Sequence, residues 1–174
     1  MPATPEMTAN RFFLPVLMLS MLASSGAQCQ PATAAFVPEL VFAGGSEGKG
    51  ELWLMLVKKR PFTVESLGTR QANGYLRLTQ RVRFEGKAEH SRTWVMWQTS
   101  PGYYSATLTD AAGPVFGRTQ GSRMTLRYPL NRWGLVMHQT LDLAADRHTI
   151  ANTGSIRFLG IPIGKLRETI QLKY

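Results

Sequence analysis

Residues 74–84 read GYLRLTQRVRF, and the alternation within this stretch decides the fold class. Its apolar side chains recur with a period of two, at Leu76, Leu78, Val82 and Phe84. Polar and charged side chains occupy the other face, which carries Arg77, Thr79, Arg81 and Arg83. This period is that of a β-strand with one face against a core and the other against water. The stretch therefore predicts a half-buried strand.

The same alternation recurs along the chain, most clearly over residues 123–130, 135–143 and 166–172. Short groups of Gly, Asn, Asp and Pro separate these runs, and no sustained helical period lies between them. We therefore predict an all-β fold of about eight to ten strands in a single antiparallel up-and-down β-barrel, because closure leaves no unpaired sheet edge. A β-sandwich is the alternative.

Residues 44–50, GGSEGKG, contain a lysine between glycines but lack the spacing and the hydroxyl residue of a phosphate-binding loop. Six of these seven residues have low strand propensity, which favours a turn before the first strand.

Residues 12–23 read FFLPVLMLSMLA and follow Arg11. A basic residue, a short apolar block and then small residues are typical of a secretory signal. We predict a signal peptide over residues 1–27, a flexible mature N-terminus over 28–37 and a barrel domain over 38–174. The predicted location is the periplasm or cell envelope.

Cys29 is the single cysteine and lies two residues after Ala27. Lipoprotein signals place a small residue directly before the modified cysteine, whereas this chain has Gln28. The local residues therefore favour cleavage before Gln28 and an unmodified thiol. Lipidation of Cys29, or an uncleaved signal, is the alternative and would anchor the protein to a membrane.

The chain has 20 Lys and Arg against 11 Asp and Glu, a formal charge of +9. An exported protein of this charge meets anionic membrane surfaces rather than nucleic acid. The alternating arginines of residues 74–84 and of the run at 123–130 are the predicted contacts with such a surface: Arg77, Arg81, Arg83, Arg123 and Arg127.

The order of glycines and aromatics resembles an uncharacterised bacterial family, domain of unknown function 3833, often described as lipoproteins with a lipocalin-like barrel. The resemblance covers about residues 38–166, and its best motifs are Gly102-Tyr103-Tyr104, Leu126-Arg127-Tyr128 and Phe158-x-Gly160-Ile161. It also includes Arg92-Thr93-Trp94. The chain departs from the family pattern at Thr140-Leu141-Asp142 and at Gln28. The resemblance implies a fold and an envelope location, but no activity.

We expect a barrel interior that binds a hydrophobic or amphipathic small molecule such as a fatty acid or lipid, without catalysis and without a cofactor. Tryptophans and tyrosines are expected to form its core and pocket wall. The predicted ligand contacts are Trp94, Met96, Tyr104, Tyr128 and Glu168, of which Glu168 falls on an apolar face. Basic residues at the rim would hold an anionic head.

Two other functions remain open from the residues. An enzyme acting on a lipid would need a polar cluster inside the barrel, drawn from Glu168, Asp142 and His138. A structural or accessory protein would have a filled barrel and a basic surface. The three histidines have no partners at metal-site spacing, so no metal site is predicted.

Overall fold

The computed structural model describes residues 35–55 and 57–173. The predicted signal peptide, the proposed cleavage site and Cys29 lie outside these residues, and the domain boundaries remain a prediction. Within the described ranges, no helix has the length and apolar character needed to cross a membrane.

Ten antiparallel strands form a closed barrel in which each strand pairs with its neighbours along the chain and β1 pairs with β10. This order confirms the predicted all-β up-and-down barrel and excludes the sandwich. Among the described residues, one short helix precedes the strands. The elements are α1 (Pro38–Val41), β1 (Gly44–Leu54), β2 (Val57–Arg70), β3 (Leu76–Phe84), β4 (His90–Ser100), β5 (Tyr103–Leu108), β6 (Val115–Gln120), β7 (Arg123–Pro129), β8 (Leu135–Leu143), β9 (Thr149–Phe158) and β10 (Ile161–Lys173).

The alternating apolar residues face the interior, as the period of two predicts. In β3, Leu76, Leu78 and Val82 are buried, while the arginines between them are exposed. The same division holds in β7, β8 and the end of β10. The core is therefore a lining of apolar side chains supplied by every second residue.

The glycine-rich residues 44–50 are strand, so the predicted turn before the first strand is wrong. β1 pairs along its length with β10 on one side and β2 on the other. Its glycines make room for neighbouring side chains. A methyl group on Gly48 would overlap the Glu168 carboxylate, and one on Gly50 would lie 2.7 Å from Cζ of Phe62. Strand propensity is low in this segment because these positions need space rather than side chains.

Residues 35–43 close one end of the barrel, and we call them the N-terminal plug. The Phe36 amide donates to the Gly121 carbonyl at 2.8 Å, and the Phe36 and Phe42 rings pack 5.9 Å apart. Both side chains are buried. The Phe36 ring thus contributes to the core although it precedes residue 38, where the barrel domain was predicted to begin.

We expect Gly68→Ala to lower the free energy of unfolding by about 1–3 kcal/mol, because its methyl group would overlap the main-chain carbonyl of Phe42 and push the plug outward. Gly45→Ala is the matched control. Its methyl group would meet Cβ of Lys173 at 3.7 Å, an ordinary contact. Urea unfolding of both variants measures the difference. Equal stabilities would contradict the packing of the plug against β2.

Candidate functional site

A small cavity lies inside the barrel beneath the N-terminal plug, with a volume of about 50 Å³. Phe42 forms part of its wall at the plug end. Apolar side chains from β3, β4, β7, β8 and β10 form most of the remaining wall. The polar part of the lining consists of Gln80, Arg92, the indole of Trp94, Gln139, Asn152 and Glu168.

A chain of hydrogen bonds crosses four neighbouring strands on one side of this cavity. The Tyr128 hydroxyl donates to Oε1 of Gln139 at 2.9 Å. Nε2 of Gln139 is 3.4 Å from Oδ1 of Asn152, and Nδ2 of Asn152 donates to Oε2 of Glu168 at 2.8 Å. Asn152 and Glu168 are directly opposite in the β9–β10 ladder. This chain satisfies buried polar groups and fixes the Glu168 carboxylate at the cavity.

A second cluster of hydrogen bonds lies on β2, β3 and β4 and centres on Gln80. Its Nε2 donates to Oγ of Ser66 at 3.0 Å. Its Oε1 accepts from Nε of Arg92 and from Nε1 of Trp94, each at 2.8 Å. The Arg92 guanidinium also lies over the Trp94 ring, 5.9 Å from its centre. Arg92 is thereby aimed along the inner face of the barrel.

Burial sets the electrostatics of this interior. It raises the pKa of the Glu168 carboxyl, although the hydrogen bond from Asn152 and the charge of Arg92 act in the opposite direction. Burial also raises the pKa of Tyr128 to about 12. Arg92 and Glu168 line the same cavity but are not within ion-pairing distance of each other. The cavity therefore presents a cation and a titratable acid at separate points.

The predicted ligand contacts all lie in the barrel interior, but only three of the five line this cavity. Trp94, Met96 and Glu168 belong to its wall. Tyr104 and Tyr128 are buried outside the lining. The Tyr128 ring meets Trp94 edge-on at 5.6 Å, so it supports the wall from behind. Whether these residues bind a ligand remains a prediction.

Four residues of the cavity lining were not predicted from the sequence as site residues: Gln80, Arg92, Gln139 and Asn152. A usable signal existed for two of them. Gln80 interrupts the apolar face of β3, and Gln139 interrupts that of β8. A polar residue at an inward position must find a partner inside the barrel. For Arg92, only its place in the Arg92-Thr93-Trp94 motif stood out.

Glu168 faces inward because the β1–β10 ladder runs without a bulge around it. The two other candidate catalytic residues do not join it. Asp142 accepts from Nε of Arg123 at 2.6 Å on the outer surface. His138 lies on the outer face of β8, where partial burial and the charges of Arg127 and Arg157 lower its pKa. The polar cluster that an enzyme would need is thus not formed by these three residues.

The five surface arginines are all exposed on the outside of the barrel. Three of them have carboxylate partners: Arg81 pairs with Glu65, Arg83 with Glu89 and Arg123 with Asp142. These ion pairs reduce the positive charge that the five arginines present to an anionic surface. None of the five can hold a ligand head at the cavity, because they are exposed on the outer face, whereas Arg92 lines the cavity.

Two further expectations concern aromatic residues and metals. Trp53 and Trp133 are exposed rather than part of the core, because both lie at the end of the barrel opposite the plug. In the described part of the chain, no three His, Cys, Asp or Glu side chains come together to hold a metal ion.

Comparison with solved structures finds similar barrels at low sequence identity. An S-type phycobiliprotein lyase, CPES, from Guillardia theta has a TM-score of 0.62 at 8% identity, over 78% of this chain and 90% of that chain. Rv2717c from M. tuberculosis has a TM-score of 0.59 at 15% identity, over 80% and 99%. A protein of unknown function from the DUF3598 family of Nostoc punctiforme has a TM-score of 0.59 at 12% identity, over 84% of this chain and 53% of that one. These matches support the fold alone.

A search of curated proteins finds no match. The sequence profile of one family does match, over residues 16–172, and it extends beyond the range of 38–166 inferred from the motifs. With this match and the lipocalin-like barrel, the chain belongs to the family described as "Protein of unknown function (DUF3833)".

Proposed function

We propose that the barrel binds one small amphipathic molecule, with the polar group of the ligand held inside between Arg92 and Glu168. The observation that carries this proposal is that both charged residues line one cavity without pairing with each other. A barrel that only needed a filled core would place apolar side chains at both positions. Two separate ionisable groups in one cavity instead suit a third polar group between them.

The surrounding contacts indicate which chemistry would fit. The guanidinium of Arg92 is a donor that recognises carboxylates and other planar anions in a bidentate manner. Glu168 accepts from Asn152, and with its raised pKa it can hold a proton and donate to a neutral or anionic oxygen. We therefore propose a carboxylic acid or a similar oxygen-rich head group. The apolar wall formed by residues such as Met96 and Ile170 suits a hydrocarbon tail.

The volume of the cavity imposes a condition on this proposal. About 50 Å³ accommodates a few waters, whereas ligand pockets usually measure roughly 300–1,000 Å³. The β-strands that form the side walls are bonded to their neighbours around the whole barrel. Phe42 belongs to the short N-terminal plug and has no such constraint. A tail would therefore enter by displacing Phe42 at the plug end.

The alternative is a structural or accessory protein with a filled barrel, and the small volume of the cavity is the observation that favours it. Export to the periplasm or cell envelope, with cleavage before Gln28 and an unmodified Cys29, is also a proposal. It rests on the signal-like N-terminal sequence and on Gln28, which stands where a lipoprotein signal has a small residue. Lipid anchoring at Cys29 is the alternative.

We expect Glu168→Gln to gain stability relative to the original protein as pH rises. Folding raises the pKa of the Glu168 carboxyl. Below the pKa of the unfolded state, the carboxyl is protonated in both states and costs no stability. As pH rises through the pKa of the folded state, the free energy of unfolding falls, because the charged form is disfavoured inside the barrel. The glutamine oxygen can still accept from Asn152 but does not ionise. Urea unfolding between about pH 4 and about pH 8 measures this difference.

Glu47→Gln on the outer surface is the control, and it should change with the opposite sign. The hydrogen bond and charge of Lys173 lower the pKa of Glu47, so its contribution appears as pH rises above the folded pKa and is lost on acidification. If both variants changed in the same direction, Glu168 would not be a desolvated carboxyl inside the barrel.

Native mass spectrometry of the full chain, purified from its own cells, tests ligand binding. We expect one added mass that is lost on denaturation. We expect Arg92→Gln to reduce its occupancy about tenfold, because the charge-assisted contact is removed. Arg77→Gln removes an exposed charge outside the barrel and should leave occupancy unchanged. No added mass in the original protein, and no binding of fatty acids of graded length, would favour the filled barrel instead.

A further inference from the structure

The end of the barrel opposite the N-terminal plug carries a set of exposed apolar side chains. They belong to the β1–β2, β7–β8 and β9–β10 turns and to the strand ends beside them. The most exposed are Trp133, with 81% of its surface accessible, and Leu159, with 73%. We call the following residues the apolar rim: Trp53, Met55, Trp133, Phe158, Leu159 and Ile161.

The apolar rim is continuous, because its turns follow one another around the barrel. The Leu159 amide donates to the Gly134 carbonyl at 3.2 Å, which joins the β9–β10 and β7–β8 turns. The Met55 amide donates to the Ile163 carbonyl at 2.7 Å, which joins the β1–β2 turn to β10. Apolar side chains scattered singly over a surface need no explanation, but a continuous group of this kind indicates an interaction site.

The turns hold these side chains outward in defined positions. Oδ1 of Asn131 accepts from the amides of Trp133 and Leu135, each at 3.0 Å, and so fixes the β7–β8 turn. Leu159 has a φ of +48°, a conformation that favours Gly or Asn over a large apolar residue. The backbone conformation does not favour a leucine at this position, and its side chain points to solvent.

Basic residues surround the apolar rim. On β2, β9, β10 and the β7–β8 turn they are Lys59, Arg60, Arg132, Arg157, Lys165 and Arg167, all exposed. Glu51 is the acidic residue among them and pairs with Lys59 at 3.2 Å. The β3–β4 and β5–β6 turns at the same end have a different character, since they contain Glu85, Glu89 and Asp110 with Lys87 as their cation.

We propose that the apolar rim docks onto the surface of an anionic lipid bilayer. Tryptophan and aliphatic side chains partition into the boundary between headgroups and acyl chains, and nearby Lys and Arg are attracted to anionic headgroups. Behind the rim lies a groove of about 290 Å³ that is lined by Trp53, Lys165 and Arg167 with the Lys59–Glu51 pair. This groove is placed to receive a headgroup phosphate while Trp53 stays at the interface.

The positive charge around the apolar rim argues against a second copy of this chain as its partner. Two copies of this chain meeting through their rims would bring six cations from each side together, which opposes association. The β3–β4 and β5–β6 turns on the other half of this end carry no net positive charge, so anionic lipid would attract the rim half more strongly and the barrel would sit tilted on the bilayer. The plug end, where the proposed ligand would enter, faces away from the membrane in this orientation.

Flotation of the full chain with vesicles of phosphatidylglycerol or phosphatidylcholine tests the proposal. We expect binding to the anionic vesicles and a loss of about tenfold or more in Trp133→Ser/Leu159→Asn, since two apolar anchors are removed. Leu40→Ser/Leu67→Ser is the matched control, because both leucines are exposed away from the rim. It should bind like the original protein.

A second pair of variants tests the charge. Lys165→Gln/Arg167→Gln should weaken binding to phosphatidylglycerol by about tenfold, whereas Arg77→Gln/Arg127→Gln, with the same loss of charge on other faces, should have a much smaller effect. Brominated phosphatidylglycerol should quench tryptophan fluorescence in the original protein and far less in Trp53→Phe/Trp133→Phe, which lacks both tryptophans of the rim. Residues 1–34 contain no tryptophan, so this quenching separates the rim from any contact made by that segment.

Three results would overturn the proposal. One is equal binding of the rim variant and the leucine control. Another is a loss of binding in the Arg77/Arg127 pair that matches that of the Lys165/Arg167 pair. The third is light scattering that shows a dimer of the original protein and a monomer of Trp133→Ser/Leu159→Asn without lipid, because the rim would then cover a second copy.

Discussion

The pairing of β1 with β10 is the interaction on which the rest of the structure depends. It joins ten residue pairs, from Gly45 with Lys173 to Leu54 with Gly164, and closes a meander that would otherwise have two open edges. Closure brings a glycine-rich strand against a strand that carries a half-buried acid, Glu168. Gly48 leaves the space that the Glu168 carboxylate occupies. The same pairing therefore closes the barrel and places the acid at the cavity.

The candidate site follows from this arrangement. Glu168 is held through Asn152 and Gln139 by strands on one side of the closure, and Arg92 is held through Gln80 by strands on the other. Each charge therefore has partners on its own side, and the space between them remains available to a third group. The plug limits that space to a small volume, which makes its displacement the central step of the proposed binding.

The fold could be predicted from the sequence because strand alternation survives in β3, β7 and β8, where most inward residues are apolar. The site could be predicted only in part. Glu168 stood out on an apolar face, but its partners come from three other strands, and the pairing of Asn152 with Glu168 depends on a register that the sequence does not show. Residues 44–50 were predicted to be a turn but form a strand, because the sequence does not distinguish glycines that make room for neighbouring side chains from glycines of a turn.

A crystal structure of the full chain purified from its own cells would show whether the cavity binds a ligand. We expect electron density that belongs to no protein atom, in contact with Arg92 and Glu168, together with a shift of Phe42 away from the cavity. Clear density for Arg92 and Glu168 with only waters between them, and Phe42 in its present position against β2, would contradict it. The barrel would then be a filled scaffold whose function lies on its surface.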